Sequence, residues 1–312
     1  MKYQNNLTIT FTVVAFLALS ALVGAVEIKE TYLYNLSNFS GKISYDWARV
    51  VSDNERNEVY VLFQNTIKVF NENGMEIYSF GDENDLGHIL DISIEKDGKI
   101  LLLTYGSNEF SVVRCNFRGD PQDKLKINNL PSEFSKFVPN RMVYRNGDIY
   151  LLSQGRLEIV VLDRDGNFKE GYDLVSILEL KEKEREDSHI EGFSVDKDGN
   201  MIFTIPVLFS CYKLTPDKKL TSFGKPGSSP GKFNILAGIA TDSKGNFLVV
   251  DKLKCAIIIF DKDYNFVKEF GYRGLMPGNL IAPDDLAVDG RDRIYVSQAR
   301  KRGISVFSLT YN

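Results

Sequence analysis

One pattern of strands and turns returns six times along the 312 residues of this chain. In the clearest copy, residues 237–271, the segments AGIATD, FLVVD, AIIIFD and FVKEFG are mainly apolar and are separated by short polar segments. Runs rich in β-branched and aromatic residues predict strands, and Gly-, Asp- and Asn-rich segments between them predict hairpin turns. Each copy therefore predicts a set of antiparallel strands joined by short loops.

The spacing of the copies is that of the blades in a β-propeller. Four turn glycines lie 49, 52 and 46 residues apart along the chain: Gly98, Gly147, Gly199 and Gly245. Four-stranded antiparallel repeats with a period of roughly 40 to 50 residues are typical of propellers. The sequence therefore predicts an all-β fold in which residues 26–312 form one six-bladed β-propeller of four-stranded antiparallel blades.

The last copy of the repeat is incomplete. It shows only three strand-like segments (LAVDG, RIYVSQ and ISVFSL) before Asn312. A strand without a partner at the edge of a sheet promotes aggregation. Residues 27–36 (EIKETYLYNL) are strand-like and precede the first copy, so we expect this N-terminal strand to complete the last blade.

Two insertions interrupt the repeat. Residues 174–187 (LVSILELKEKERED) begin apolar and end charged, which predicts a short helix between the third and fourth blades. Its charged run is typical of a solvated helix face. Residues 131–139 begin and end with proline and predict an irregular loop.

The first 25 residues predict an export signal. Residues 1–10 are polar and include Lys2, residues 11–25 are apolar and uncharged, and this segment ends in Val23, Gly24 and Ala25. This is the pattern of a secretory signal, and we expect cleavage between Ala25 and Val26. The mature protein is then expected in the periplasm or outside the cell. Alternatively, residues 7–26 stay uncleaved and anchor the protein, because they are long enough to span a bilayer.

Charge and cysteine content narrow the function classes. The chain has 38 basic and 42 acidic residues, and nucleic-acid partners usually require a basic protein surface, so none is expected. The three cysteines, Cys115, Cys211 and Cys255, lie in apolar strand-like runs and are expected to be buried free thiols. One disulfide between two of them remains open. The sequence contains no CxxC motif, so it gives no indication of a zinc site, a redox site or attached haem.

Two segments between copies resemble the inter-blade signature of NHL repeats. They are residues 223–233 (FGKPGSSPGKF) and residues 270–283 (FGYRGLMPGNLIAP), and the resemblance is strongest over residues 223–307. NHL repeats often continue with Asn-x-Arg after the second strand. Those slots hold Lys254, Cys255 and Ala256 in the fifth copy and Lys301, Arg302 and Gly303 in the sixth. Ligand contacts of that arginine are therefore not expected here.

The resemblance implies that ligands meet the mouth of the central channel. That mouth is formed by the residues leading into each innermost strand and by the loops between the second and third strands. The candidate residues at the leading positions are Asp46, Trp47, His88, Asp91, Asn140, Arg141, His189, Glu191, Asn234, Asp284 and Asp285. Each also has a structural explanation, because Asp and Asn before strands commonly fix turns.

The residue types at the mouth bear on metal chemistry. The amidating lyases that look like this propeller require several histidines, and zinc sites usually use three protein ligands, but this chain has only His88 and His189. Calcium needs only oxygen ligands. Asn140, Glu191, Asn234 and Asp285 could surround one calcium ion, as in lactonase-like six-bladed enzymes. No Ser-His-Asp order, Walker loop or dinucleotide-binding glycine motif is recognisable.

Five cations fall in equivalent loops of the last two blades. Lys252 and Lys254 lie between the second and third strands of the fifth blade, and Arg300, Lys301 and Arg302 lie in the matching loop of the sixth. They form either an ordinary solvated surface or a basic patch for an anionic ligand or an acidic partner.

These features favour a non-enzymatic scaffold, exported to the periplasm or cell envelope, that binds a protein or ligand at one propeller face. We expect it to be a monomer without a cofactor, contacting a membrane only through an uncleaved signal segment. The alternative function is that of a calcium-dependent hydrolase, lactonase or lyase using the channel mouth. A third is a structural module in a larger envelope assembly.

Overall fold

The computed structural model describes residues 27–38, 41–42, 45–81 and 86–312. The export signal and its cleavage site, expected within residues 1–26, lie outside the described residues. Within the described part of the chain, no helix is long and apolar enough to cross a membrane. The chain forms six four-stranded antiparallel sheets arranged as the blades of a propeller, which confirms the predicted fold class.

The strands follow the blades in chain order. The N-terminal strand and a small hairpin are β1 (Ile28–Asn35), β2 (Ser37–Asn38) and β3 (Gly41–Lys42). Blades 1 and 2 contain β4 (Arg49–Asp53), β5 (Glu58–Phe63), β6 (Thr66–Phe70), β7 (Glu76–Phe80), β8 (His88–Ile94), β9 (Ile100–Gly106), β10 (Glu109–Cys115) and β11 (Pro121–Lys126). Blade 3 contains β12 (Arg141–Arg145), β13 (Asp148–Ser153), β14 (Glu158–Leu162) and β15 (Phe168–Asp173).

The second half of the ring repeats this order. Blade 4 contains β16 (Phe193–Val195), β17 (Met201–Ile205), β18 (Ser210–Leu214) and β19 (Leu220–Phe223). Blade 5 contains β20 (Leu236–Thr241), β21 (Phe247–Asp251), β22 (Ala256–Phe260) and β23 (Phe266–Phe270). Blade 6 contains β24 (Pro283–Val288), β25 (Arg293–Gln298) and β26 (Ile304–Tyr311), with β1 as its outermost strand. In every blade the first of these strands is innermost, and consecutive innermost strands contact each other around the channel.

The hydrophobic core lies between neighbouring blades. The middle strands are apolar on both faces, as in β22 (AIIIF), where every residue is buried. One cluster joins blades 4 and 5 through Cys211, Phe233 and Phe247, among others. Fully burying a large apolar side chain contributes about 1.5–3 kcal/mol. The outer strands alternate, as in β7, because only one of their faces meets the core.

The N-terminal strand closes the ring, as predicted. Strand β1 pairs antiparallel with β26, from Ile28 opposite Tyr311 to Asn35 opposite Ser305. Ile28 is buried in the cluster between blades 5 and 6, and Leu36, just after β1, is fully buried between blades 6 and 1. The two ends of the described chain are therefore held in one sheet.

The single helix predicted over residues 174–187 is wrong. Two short helices occur instead, α1 (Leu174–Ile177) and α2 (Glu182–Asp187). Asp173 caps α1 by accepting a hydrogen bond from the Val175 N–H, and Glu179 has a positive φ of 52° that interrupts the helix. Residues 131–139 are an irregular loop with one short 3-10 helix, Ser132–Phe134, in agreement with the prediction.

All three cysteines are buried and free, so no disulfide joins them. Burial raises the pKa of the Cys115 thiol to about 12 and also raises the pKa of Cys211. A thiol that stays protonated is a weak nucleophile. Cys115 and Cys211 therefore act as small apolar side chains.

Glycines let the innermost strands of blades 4, 5 and 6 approach backbone to backbone. A Cβ on Gly192 would lie 2.3 Å from the carbonyl oxygen of Ala237 in β20. We expect Gly192→Ala to lower the free energy of unfolding by about 1–3 kcal/mol, because the backbone must move to admit the methyl group. Gly155→Ala is the matched control, since nothing lies within 4 Å of its Cβ position. Chemical denaturation measures both, and equal stability of the two variants would contradict the close approach.

Candidate functional site

The upper face of the propeller carries the connections between blades and the loops between second and third strands. Near this face, Arg49 of blade 1 contacts the blades on either side of it. Its Nε donates to Asp91 Oδ1 of blade 2 at 2.9 Å, and its Nη1 donates to both carboxylate oxygens of Asp285 of blade 6, at 3.0 and 2.9 Å. Burial alone would lower the pKa of Arg49, but the two carboxylates outweigh burial and raise it. The guanidinium therefore stays charged.

The same two carboxylates join neighbouring innermost strands. Asp91 is fully buried and its Oδ2 accepts the Met142 N–H of blade 3 at 2.7 Å. Asp285 Oδ2 accepts the Val50 N–H of blade 1 at 3.2 Å. Charge-assisted hydrogen bonds of this kind are stronger than neutral ones. Asp91 and Asp285 thus hold four of the six blades together at the mouth.

A second cation lies on the other side of the mouth. Lys252 Nζ is 2.7 Å from Glu191 Oε1 of blade 4 and 2.5 Å from Asp284 Oδ1 of blade 6. Burial alone would lower the pKa of Lys252, but its hydrogen bonds with Asp284 and Glu191 outweigh burial and raise it. His189 Nε2 lies 3.3 Å from the other oxygen of Glu191. Three blades therefore meet at this ammonium group.

The remaining mouth residues serve local structure or face solvent. Asn140 exchanges hydrogen bonds with Gln154, and the backbone N–H of Asn234 donates to Asp251 Oδ2. Asp46 accepts a hydrogen bond from the Lys301 N–H. Trp47 is exposed and its Nε1 donates to the Ala282 carbonyl at 3.4 Å. His88 is exposed and Arg141 is partly buried.

Three of the four calcium candidates engage their side-chain oxygens with other groups of the protein. Glu191 and Asp285 direct their oxygens to Lys252 and Arg49, and the Asn140 side chain is bonded to Gln154. A divalent cation at the mouth would meet two fixed positive charges. Among the described residues, no group of three or more His, Cys, Asp or Glu side chains is placed to hold a metal. The donor set therefore does not fit a calcium site.

A cavity of about 480 Å³ lies along the channel below Arg49. All six innermost strands contribute to its walls, which extend from Arg49 to the turns of the lower face, including Asn54 and Asn146. Arg145 also lines it, and burial lowers the pKa of this arginine. Arg49 also lines this cavity, at its upper end.

The five cations of the basic patch lie on the upper face, but their surroundings differ. Lys252 is bound as described, and Lys254 Nζ is 2.9 Å from Glu269 in a largely buried pair. Arg302 donates to the carbonyls of Leu275 and Asn279. Arg300 and Lys301 are exposed. The exposed positive charge of these loops therefore comes mainly from Arg300 and Lys301.

Sequence reasoning missed Arg49, the residue that joins Asp91 and Asp285. It stands in a strand (RVVSD) whose pattern looks like that of any innermost strand. It also missed Asp251 and Gln298, which end the second strands of blades 5 and 6 and accept backbone N–H groups of the preceding connections. A polar residue at the end of an otherwise apolar second strand was the available signal for both.

No protein-family model matches the sequence, and no curated protein matches it. Several solved structures share the fold. A Bacteroides thetaiotaomicron protein of unknown function has a TM-score of 0.66 at 15% identity, covering 91% of this chain and 77% of that one. Virginiamycin B lyase from Staphylococcus aureus has a TM-score of 0.54 at 14% identity, covering 91% and 99%.

A candidate gluconolactonase is a third structural neighbour, with a TM-score of 0.57 at 13% identity and 93% coverage of each chain. These structural neighbours therefore include proteins described as lyases and lactonases as well as proteins of unknown function. At sequence identities this low, the structural similarity establishes only the six-bladed propeller fold, and this fold has many unrelated functions.

Proposed function

We propose that this protein is an exported, NHL-like propeller that binds a partner on its upper face and catalyses no reaction there. The observation that carries the proposal is the pairing of the mouth carboxylates with Arg49 and Lys252. Catalytic metal sites keep an open coordination position and free donor oxygens. At this mouth the donors that a metal would need are joined to the protein's own cations.

The lactonase and lyase descriptions of the structural neighbours support an enzymatic alternative only at the level of the fold. Fold similarity does not transfer a reaction, because catalysis depends on the side chains at the site. General acid-base catalysis works best with a group whose pKa lies near the working pH, and His, Asp and Glu can all serve. Burial raises the pKa of Asp284, but its hydrogen bond with Lys252 opposes that rise. Among the described residues, His189 is the histidine that lies beside the mouth carboxylates. It is exposed, and the ion pair it forms there is with Glu191.

Metal analysis tests the proposal directly. Purified protein is expected to contain no stoichiometric calcium or zinc, to show no heat of calcium binding by calorimetry, and to melt at the same temperature with and without EDTA. Assays with simple lactones and esters should show no turnover above buffer.

Glu191→Ala and Glu133→Ala serve as the matched pair of variants, since Glu191 is a mouth residue and Glu133 lies in the 131–139 loop. Stoichiometric calcium that is lost in Glu191→Ala and kept in Glu133→Ala would overturn the proposal, as would turnover that depends on Glu191.

A further inference from the structure

Exposed large apolar side chains are concentrated on one face. In the described part of the chain, nine of thirteen lie in the upper loops or at the strand ends next to them. The nine are Trp47, Tyr105, Val138, Val207, Ile235, Leu253, Tyr272, Leu275 and Met276. Isolated exposed apolar residues are normal, but a concentration on one face marks an interaction site.

Six of these nine side chains lie on neighbouring loops of blades 5, 6 and 1. We call the six the apolar upper surface: Trp47, Ile235, Leu253, Tyr272, Leu275 and Met276. Their loops are bonded to each other. The Lys252 N–H donates to the Ile235 carbonyl at 2.8 Å, and Trp47 donates to the carbonyl of Ala282 in the connection that carries Leu275. The Ala282 N–H in turn donates to Cys255 Sγ at the end of the Leu253 loop, so the loops that carry the six side chains adjoin one another.

The most exposed part of this surface is held in a fixed conformation. Leu275 and Met276 are 74% and 70% exposed and stand next to each other in the connection between blades 5 and 6. Arg302 donates to the Leu275 carbonyl at 3.0 Å, and the Asn279 N–H donates to the Met276 carbonyl at 3.0 Å. A loop that is already ordered loses little conformational entropy on binding, which favours affinity.

Most exposed charges around the apolar upper surface are positive; beside Trp47, the half-buried Asp46 is a carboxylate whose Oδ1 accepts the Lys301 N–H. The connections into blades 5 and 6 and the β25–β26 loop expose only cations, and these are Lys225, Lys232, Arg273, Arg300 and Lys301. The whole chain, in contrast, has a net charge of −4. A local cationic rim on an acidic protein attracts anionic partners.

We propose that the apolar upper surface binds an acidic polypeptide segment that carries apolar side chains. The surface contacts the apolar side chains of that segment, and the cations around the surface contact its acidic side chains. This inference rests on the proposed binding function and specifies its partner. Trp, Tyr, Met and Arg are enriched in protein interfaces, and Trp, Tyr and Arg supply most hot spots. Trp47 is only 58% exposed and bonded to Ala282, so part of it contacts the connection between blades 5 and 6. A polypeptide partner can be complementary in shape to such partly buried side chains, whereas a bilayer cannot.

The test uses defined probes and paired variants. The first probe is a labelled peptide of about fifteen residues that alternates Glu with Leu and Trp; the control peptides replace Glu by Lys or the apolar residues by Ser. Vesicles of phosphatidylcholine with phosphatidylglycerol test the membrane alternative. The variants are Leu275→Ser with Met276→Ser, and Arg300→Glu with Lys301→Glu. Ile77→Ser in β7 and Lys124→Glu in β11 are exposed controls on outer strands.

The acidic apolar peptide is expected to bind and to dissociate as salt concentration rises, while both control peptides fail to bind. Each double variant should weaken binding at least about tenfold, and the outer-strand controls should leave it unchanged. Absence of peptide binding, with or without vesicle binding, overturns the docking proposal. The docking proposal is also overturned if Ile77→Ser weakens peptide binding more than the double variant Leu275→Ser with Met276→Ser does. That result would leave the proposed binding function intact. The metal and turnover measurements decide that function separately.

Discussion

Removing residues 27–36 is expected to lower the free energy of unfolding by at least about 5 kcal/mol, because Ile28 and Leu36 are each buried between blades and each such loss costs about 2–5 kcal/mol. The deletion also removes the pairing of β1 with β26 along its whole length. The exposed edge of β26 would then be free to pair with another chain. We expect the melting temperature to fall by about 10 °C or more.

Calorimetry on two truncated chains measures this effect. A chain of residues 27–312 keeps β1 and is the control, while a chain of residues 37–312 lacks it. Light scattering should show that only the shorter chain self-associates. Equal melting temperatures for the two chains would mean that β1 contributes nothing to ring closure, contrary to its register with β26.

Asp91→Ala is expected to destabilise the fold by about 3–5 kcal/mol, the usual result of removing one partner from a buried ion pair. Asp91 is fully buried, and the substitution leaves Arg49 with Asp285 alone as its carboxylate partner. It also deprives the buried Met142 N–H of its acceptor. Urea denaturation monitored by circular dichroism gives the free energy of unfolding.

Two further variants separate the ion pair from general damage. Asp123→Ala removes an exposed partner of Arg114 and should cost no more than about 1 kcal/mol. Arg49→Met combined with Asp91→Asn should cost less than the sum of the two single variants, since the fully buried position 91 then carries no charge that needs Arg49. Asp285 loses Arg49 in the single Arg49→Met variant and in the double variant alike, so this loss does not affect the comparison. Additive single effects would show that Arg49 and Asp91 are not energetically coupled.

The fold could be predicted because its determinants are local. Turn glycines such as Gly199 and Gly245 adopt a positive φ, and Asp196 and Asp242 accept the N–H groups of the same turns. Short apolar runs between these turns define the strands. The two short helices were harder to predict, because the break at Glu179 depends on one backbone angle that the charged pattern of residues 174–187 does not reveal.

The candidate site was predicted only in part. The position of each residue leading into an innermost strand identified Asp91, Glu191 and Asp285 as mouth residues; Glu191 precedes β16, whereas Asp91 and Asp285 lie within β8 and β24. Their partners could not be inferred, because Arg49 and Asp285 are 236 residues apart in sequence and meet only when blade 6 closes on blade 1. The same holds for Lys252, whose two carboxylate partners come from blades 4 and 6.

The sequence by itself determined the six blades and their antiparallel strands, because each follows from patterns within about forty residues. The incomplete last copy and the strand-like residues 27–36 also predicted the closing strand, although β1 and β26 lie far apart in sequence. Only the tertiary structure decided the character of the upper face. Closing the ring pairs the mouth carboxylates with Arg49 and Lys252, and it brings Trp47 beside the loop of Leu275 and Met276. These contacts join residues of different blades that lie up to 236 residues apart in sequence, and no local pattern records which side chains the ring brings together.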